Sequence, residues 1–142
     1  EKIKIKIGSA FPDDNFDNTS FEVRGLHLSS GLPRSITLTS GEIREAMADP
    51  LNKIVEAIKR TLERTPPELA ADIVDRGIML AGGGALIRGM NDLVTKETGI
   101  FTHIAEEPLL CVVNGCGKIL DDFRKLKRIV DTIDLGTNSI RT

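Results

Sequence analysis

The chain has 142 residues, of which 40% are hydrophobic and 28% are charged, a balance typical of one globular domain or one lobe of a larger one. Its formal net charge is -2 and only 4% of its residues are aromatic, without Trp or Tyr, which argues against nucleic-acid binding through bulk charge or base stacking. No apolar run approaches the roughly 20 residues of a membrane span. Its two cysteines are too few for a disulfide framework, so we expect a cytoplasmic protein.

The first eleven residues carry two competing periodicities. Lysine and isoleucine alternate from Lys2 to Ile7, which favours a strand. Ile3, Ile7 and Phe11 also recur at i, i+4 and i+8, as on one face of a helix. The chain begins with Glu1 rather than Met, and we expect it to be a piece of a longer protein.

A surface loop and a hairpin are predicted next. The segment 12–20 is dense in Pro, Asp, Asn and Ser, which favour turns. Two β-type segments follow, Phe21 to Leu28 and Arg34 to Thr39. The residues between them, Ser29-Ser30-Gly31-Leu32-Pro33, are typical of a hairpin with a longer loop.

Three helix starts follow the hairpin. A capping box at Thr39-Ser40-Gly41-Glu42 predicts a short helix that ends near Asp49. Asp49 and Pro50 predict that a second helix begins there. Its apolar stripe consists of Leu51, Ile54, Val55, Ile58 and Leu62. A repeat of the capping box at Thr65-Pro66-Pro67-Glu68 predicts a third, short helix.

The last third of the chain alternates predicted strands and helices. Gly77 to Ala81 forms a short apolar strand, which three glycines follow. A helix ending at Gly99 is predicted from the apolar residues Leu86, Met90, Leu93 and Val94. A second strand, Ile100 to Ala105, precedes a helix that opens at Pro108. This order predicts an α/β unit with a parallel pair of strands.

The glycine turn, Gly82-Gly83-Gly84, is the most informative candidate site. Glycine lacks a Cβ, so the backbone can approach a ligand closely, and free N–H groups at the start of a following helix suit a phosphate. The turn also lies at the carboxyl end of a strand, where α/β folds bind ligands. Its spacing matches neither G-x-G-x-x-G nor G-K-[ST]. From the residues alone, a nucleotide site and a merely structural turn are equally favoured.

Several motifs together resemble a known family. Leu80-Ala81-Gly82-Gly83-Gly84-Ala85-Leu86 resembles the second adenosine motif of the actin and heat-shock-chaperone ATPase superfamily. Glu1-Lys2-Ile3-Lys4 with Ile7-Gly8-Ser9-Ala10 is similar to the adenosine-contacting helix of the MreB family of bacterial actins. Further similar segments follow in register over residues 1 to about 120: Phe21–Gly25, Gly31–Arg34, Pro66–Ala70, Asp72–Ile73, Arg76–Gly77, Glu97–Gly99 and Glu107–Leu109.

The resemblance implies an α/β actin-like ATPase lobe. It consists of a small helix-plus-hairpin subdomain followed by a strand–glycine turn–helix–strand–helix unit. Residues 1–65 would be the small outer subdomain with its connecting helices, residues 66–120 part of the inner subdomain, and residues 121–142 a tail. The resemblance also implies that the first ten residues are helical, and we adopt the helix over the strand. Glu1 and Lys4 then share one helix face.

The same resemblance implies a site for ATP between the first helix and the glycine turn. Glu1 would accept hydrogen bonds from the ribose hydroxyls, and Lys4 would pack against adenine or bond its edge. The N–H groups near Ala85 and Leu86 would face the first phosphate. Without the resemblance, these two residues would more often be a solvated charged face. The nucleotide-binding residues are expected to be Glu1, Lys4, Gly82, Gly83, Gly84, Ala85 and Leu86.

A cytoskeletal function follows from the resemblance. The chain would be a fragment of an actin-like protein that binds ATP and polymerises into membrane-associated filaments controlling rod cell shape. Its partners would be copies of itself in a head-to-tail filament, a membrane-anchored adaptor protein and, indirectly, the inner membrane, but no nucleic acid. The alternatives are the nucleotide-binding lobe of a chaperone-type ATPase or of a sugar kinase with the same fold, and an α/β interaction module.

Hydrolysis is not expected of this chain alone. In the family, magnesium and the β- and γ-phosphates are held mainly by segments that should precede residue 1, so we predict no catalytic residue and no metal ligand here. Neither His27 nor His103 has partners at zinc-ligand spacing. In the tail, residues 133–139 look like the family's first phosphate loop, but coincidence is the favoured interpretation. The basic residues at 124–128 are interpreted as a solvated tail.

Overall fold

The computed structural model describes residues 1–121, and the chain divides into two compact units, Glu1–Pro108 and a second that begins at Leu109. The helices and strands of the first unit are α1 (Lys2–Ile7), β1 (Ser20–Leu26), β2 (Pro33–Thr39), α2 (Ser40–Glu63), α3 (Pro67–Arg76), β3 (Ile78–Leu80), a 3-10 helix (Gly83–Leu86), α4 (Met90–Thr98) and β4 (Thr102–Ile104). The second unit contains α5 (Cys111–Asp121), which starts three residues after the predicted Pro108. This mixed order confirms the α/β class. The tail motif at 133–139 and the basic residues at 124–128 lie outside the described residues.

The first residues are helical, as the resemblance implies, and not a strand. A strand would place Ile3, Ile5 and Ile7 on one face. Instead Ile7 is 2% exposed and Ile5 is 73% exposed, which is the separation that a helix produces. The Nζ of Lys6 lies 4.5 Å from the ring centroid of Phe21, so α1 also contacts the start of β1.

The predicted hairpin is confirmed. Strands β1 and β2 are antiparallel, and Phe21 pairs with Leu38 while Val23 pairs with Ile36. Strand β1 ends at Leu26 rather than at the predicted Leu28.

Helix α2 is one continuous helix of 24 residues, so the predicted break at Asp49 and Pro50 is wrong. Proline inside a helix removes one backbone hydrogen bond and costs about 3 kcal/mol. Burial on the carboxyl side of Pro50 offsets that cost, because Leu51 and Val55 are 5% and 4% exposed. Tertiary packing therefore carries the helix through its proline.

The capping box at the start of α2 forms as predicted. Thr39 Oγ1 accepts a hydrogen bond from the Glu42 N–H at 3.3 Å, and Glu42 Oε2 accepts one from the Thr39 N–H at 2.7 Å. The latter bond lowers the pKa of the Glu42 carboxyl below its usual value of 4.5. Because the folded pKa is lowered, the stabilisation from this carboxylate is complete above pH 4.5 and is lost as the pH falls through the folded pKa.

Substituting Thr39→Ala should lower the free energy of unfolding by about 1 kcal/mol, because the N–H of Glu42 loses its side-chain acceptor. Urea unfolding of the 142-residue chain, followed by circular dichroism, measures the change. The matched control is Thr37→Ala, since Thr37 is an exposed residue of β2 outside the box. Equal losses for the two variants would contradict a capping role.

Helix α3 lacks the predicted capping box. Its N-cap is Pro66, and no side chain caps it. The Oγ1 of Thr65 instead donates to the Thr61 carbonyl at 2.8 Å, so the hydroxyl turns back to the end of α2. Pro67 occupies the first turn, where a missing N–H costs nothing.

The core of the first unit joins α2 and α4 to the segment after α1. Its buried members are Ala10, Leu51, Met90 and Val94, and Val94 is 0% exposed. A salt bridge from Lys59 Nζ to Glu97 Oε2, at 2.6 Å, links α2 and α4 at their surface. Strands β3 and β4 form the predicted parallel pair, with Ile78 opposite Thr102.

Candidate functional site

The glycine turn begins where β3 ends, and its first residue adopts a conformation that favours glycine. Gly82 has φ +83° and ψ 175°. Its N–H donates to the carbonyl of Pro108 at 2.6 Å, while the Ala105 N–H donates to the Leu80 carbonyl at 3.0 Å. The segment after β4 therefore fixes the backbone at the carboxyl end of β3.

The turn presents open backbone. A Cβ added to Gly82 or Gly84 would meet no atom within 4 Å, and Gly83 and Gly84 are exposed. Ala85 is 4% exposed and anchors the turn, whereas Leu86 is 56% exposed. A ligand could therefore approach the main chain of this turn without displacing a side chain.

The donors of the turn differ from those expected. The Ala85 N–H bonds the Gly82 carbonyl at 3.2 Å, so it is engaged within the turn. Gly83 and Gly84 are the first two residues of the 3-10 helix, and within residues 1–121 their N–H groups have no backbone acceptor outside that helix. The first N–H groups of a helix lack intrahelical partners. The donors available to an anion are thus those of Gly83 and Gly84, two residues before the Ala85 and Leu86 N–H groups that the resemblance implies.

The predicted helix after the glycines is interrupted. A 3-10 helix ends at Leu86, and α4 begins only at Met90. The Arg88 carbonyl accepts the Ala10 N–H at 2.7 Å, and Gly89 adopts a left-handed conformation with φ +69°. This pairing draws the backbone away from the helix path. The predicted end of the helix at Gly99, also left-handed, is confirmed.

Glu1 and Lys4 form an ion pair on one face of α1. The Lys4 Nζ lies 2.9 Å from Glu1 Oε1, and the two side chains are 41% and 72% exposed. The hydrogen bond from Lys4, followed by its charge, lowers the pKa of the Glu1 carboxyl. Because a carboxylate and an ammonium have several hydrogen-bonding positions, each group retains capacity for a ligand.

A short parallel bridge joins the two predicted walls of the site. Ser9 pairs with Arg88 in parallel, and Ser9 is 0% exposed. In a parallel bridge both chains run in the same direction, so the segments that precede the bridge lie at the same end of it. Those segments are α1, which carries Glu1 and Lys4, and the glycine turn. The structure thus connects the two groups of residues that the resemblance assigns to one site.

Sequence reasoning missed Arg88 as a residue of this region. Its guanidinium carbon lies 4.0 Å from the ring centroid of Phe16, and its Nη1 lies 3.9 Å from Asp13 Oδ2. No periodicity or motif signals a contact between residues more than 70 positions apart.

Other candidate features carry less chemistry. In residues 1–121 there is no group of three or more His, Cys, Asp or Glu side chains placed to hold a metal ion. His27 Nδ1 lies 3.0 Å from Ser30 Oγ, and the ring of His103 stacks on Phe101 at 5.8 Å. Within that same part of the chain, no helix combines the length and the apolar character needed to cross a membrane.

Comparisons with known proteins identify the family. A family model described as MreB/Mbl protein matches residues 1–128. The cell shape-determining protein Mbl of Bacillus subtilis (strain 168) is 46% identical over 128 residues, which are 90% of this chain and 38% of that protein. The cell shape-determining protein MreB of Escherichia coli (strain K12) is 51% identical over 121 residues, which are 85% of this chain and 34% of that protein.

Solved structures agree with the sequence relatives. The crystal structure of MreB5 of Spiroplasma citri bound to ADP has a TM-score of 0.82 at 35% identity, covering 90% of this chain and 38% of that one. The AMPPNP-bound structure of the same protein has a TM-score of 0.77, also at 35% identity, covering 95% and 38%. This chain therefore spans between a third and two fifths of the length of these relatives. By its sequence and its fold, the chain belongs to the MreB/Mbl family.

Proposed function

We propose that this chain forms one part of the adenine-nucleotide site of an actin-like cytoskeletal protein that determines cell shape. Its relatives in Bacillus subtilis and Escherichia coli are named cell shape-determining proteins, and the similar Spiroplasma citri structures contain ADP or AMPPNP. These named matches favour a bacterial actin over the chaperone-type ATPase and sugar-kinase alternatives.

The parallel bridge between Ser9 and Arg88 is the observation that carries the proposal. It holds α1 and the glycine turn at one end of the same short pairing. An ion pair and an open glycine backbone thereby precede the same pairing at one end, and this combination suits a ligand that has both hydroxyl groups and an anionic group.

Each predicted residue has a role in this site. Glu1 accepts hydrogen bonds from the ribose hydroxyls, and Lys4 contacts adenine through its stem or its ammonium. The open backbone at Gly82, Gly83 and Gly84 receives the sugar and the first phosphate, for which the N–H groups of Gly83 and Gly84 are the donors. Ala85 and Leu86 complete the turn, Ala85 by its burial in the first unit.

The chain alone binds ATP weakly and does not hydrolyse it. Hydrolysis needs charges placed around the transferred phosphoryl group, and those groups, with the magnesium that the β- and γ-phosphates require, belong to other parts of the family's fold. Calorimetric titration of the 142-residue chain, with a phosphate-release assay, tests this statement. Micromolar affinity together with measurable turnover would refute it.

The same proposal includes the assembly of the protein into filaments and their location in the cell. The protein polymerises head to tail through a heterologous contact that does not close, and its filaments lie at the inner face of the cytoplasmic membrane. They attach there through other parts of the protein and through a membrane-anchored adaptor.

A hybrid protein tests the function in a complete fold. In it, residues 1–128 of this chain replace the 128 matched residues of Bacillus subtilis Mbl. We expect the hybrid to bind ADP and to restore cell shape in a strain that lacks Mbl. A folded hybrid that binds no ADP would overturn the nucleotide site, and one that binds ADP without restoring shape would overturn the cytoskeletal role.

Gly82→Val in this hybrid should weaken ADP binding by about fivefold or more, because a β-branched residue at φ +83° strains the turn by roughly 1 to 3 kcal/mol. Calorimetric titration with ADP measures the loss. The matched control is Gly25→Ala, since Gly25 lies in the hairpin and a Cβ there also meets no atom within 4 Å. ADP binding by Gly82→Val as tight as that of the control would contradict the site.

A further inference from the structure

Arg88 is attached to the segment after α1 at two places. Its main-chain carbonyl accepts the Ala10 N–H at 2.7 Å. Its side chain extends further, where the guanidinium carbon lies 4.0 Å from the centroid of Phe16 and Nη1 lies 3.9 Å from Asp13 Oδ2. A single bridge would still allow the two joined segments to rotate relative to each other about the bridge. A second contact, several residues away, restricts that rotation.

The loop that receives the Arg88 side chain is itself firmly built. The Asp13 carbonyl accepts the N–H groups of Phe16 and Asp17 at 2.9 and 2.7 Å, and Asp13 Oδ1 accepts the Asn15 N–H at 3.0 Å. The Asp17 carboxylate is hydrogen-bonded to Arg44 of α2. Because Asp17 ties this loop to α2, the Arg88 side chain contacts a loop that is itself held in place.

Close packing supports the main-chain half of this attachment. A Cβ added to Gly89 would lie 2.7 Å from the Cβ of Phe11, so the two backbones are in intimate contact directly after the bridge. Lys96 belongs to α4, and its Nζ lies 5.5 Å from the centroid of the Phe11 ring. Residues 9–11 are therefore held against Arg88, Gly89 and Lys96.

We propose that Arg88 is a positioning residue of the nucleotide site, which sets the spacing between α1 and the glycine turn by holding the segment 9–17 at both ends. This inference rests on the proposed function. Arg88 acts through Ala10 and Phe16 and does not itself touch the nucleotide. An exposed cation–π contact is worth about 0.5 to 1 kcal/mol, so loss of the side chain should weaken nucleotide binding about two- to fivefold.

A positioning role and a direct phosphate contact predict different patterns. If Arg88 only sets the spacing, Arg88→Ala weakens ADP and ATP by the same factor at each salt concentration. If its guanidinium bound a phosphate, the loss would grow from ADP to ATP and would shrink at high ionic strength. Phe16→Leu distinguishes the two roles further, because it should reproduce the part of the loss that comes from the cation–π contact although it changes no charge.

The binding measurements use the Mbl hybrid defined above, in which calorimetry gives ADP and ATP dissociation constants at two salt concentrations. We expect Phe16→Leu to cost no more than Arg88→Ala, which also loses the Asp13 contact. The double variant should lose no more than Arg88→Ala, and Arg88→Lys should retain part of the binding, because its ammonium can also lie over the ring. The matched control, Arg34→Ala, removes an exposed arginine of the hairpin and should leave binding unchanged.

Amide hydrogen exchange in the 142-residue chain provides a readout without ligand. Arg88→Ala should accelerate exchange at Ala10 and within residues 83–86, and Arg34→Ala should not. Unchanged exchange at these amides, additive losses in the double variant, or a loss that grows with phosphate number would each overturn the role of Arg88. No ADP binding by the unsubstituted hybrid would overturn the proposed function and this role with it, whereas ADP binding that Arg88→Ala leaves intact overturns the role alone.

Discussion

Replacing Gly77 by Ala is expected to lower the free energy of unfolding by about 3 kcal/mol or more. Gly77 has φ +80° and ψ -175°, a conformation nearly restricted to glycine, and it connects α3 to β3. An added Cβ would lie 2.5 Å from the Phe101 carbonyl oxygen, which itself accepts the Ile78 N–H at 2.8 Å. The backbone cannot shift to relieve this clash without separating β3 from the segment before β4.

Two glycine controls separate the two causes of the loss at Gly77, which are backbone strain and the clash of the new Cβ with Phe101. Gly99→Ala has a similar φ of +72° but no atom within 4 Å of the new Cβ, so it should cost only about 1 to 2 kcal/mol of backbone strain. Gly41→Ala, in the first turn of α2, should be neutral or stabilising by up to about 1 kcal/mol. Urea unfolding of the 142-residue chain gives all three values. Equal losses at Gly77 and Gly99 would show that the clash with Phe101 is relieved.

Truncating Leu51 to Ala is expected to cost about 2 to 5 kcal/mol. Leu51 is 5% exposed and belongs to the core cluster with Met90 and Val94. Its removal leaves a cavity between α2 and α4, and it also removes burial that keeps α2 helical directly after Pro50. We therefore expect a loss of helix signal near the middle of α2 together with the lower stability.

The matched control for Leu51 is Ile54→Ala on the same helix. Ile54 is 44% exposed, so its truncation removes less burial and should cost only about 1 kcal/mol. Thermal unfolding monitored by circular dichroism ranks the two variants. A loss at Ile54 as large as that at Leu51 would mean that the half-exposed face of α2 also carries packing energy.

Short-range patterns in the sequence correctly predicted the elements that short-range contacts stabilise. The capping box at Thr39 forms because both its hydrogen bonds lie within four residues, and the hairpin forms because its alternating residues pair across the loop of residues 27–32. The end of α4 at Gly99 depends on the left-handed freedom of that one residue. The helix at residues 2–7 had an ambiguous pattern, and the motif resemblance decided it correctly.

Two of the wrong predictions share a cause, which is contact with distant parts of the chain. Burial of Leu51 carries α2 through Pro50, and pairing with Ala10 breaks the helix expected after the glycines. The second capping box fails for a local reason, because the Thr65 hydroxyl bonds the carbonyl of Thr61, four residues earlier at the end of α2. The distant partners cannot be identified from the residues near Pro50 or Arg88 themselves.

The candidate site shows the same contrast between what nearby residues predict and what distant contacts decide. Its residue types, an acid and a base on one helix and a run of glycines, were predicted from motifs. The bridge that joins them at Ser9 and Arg88 depends on a pairing between residues 79 positions apart in the sequence, so only the folded chain reveals it. The shift of the available donors to Gly83 and Gly84 likewise depends on the 3-10 geometry of the turn.

The unbroken course of α2 has a mechanical consequence. A helix of 24 residues rises about 1.5 Å per residue and is therefore a rod of roughly 36 Å. One end carries the hairpin through Thr39, and the other is tied to α4 through Lys59. A tilt of the hairpin is thus transmitted to the far side of the first unit, and any bending concentrates near Pro50, where one rung of the hydrogen-bond ladder is missing.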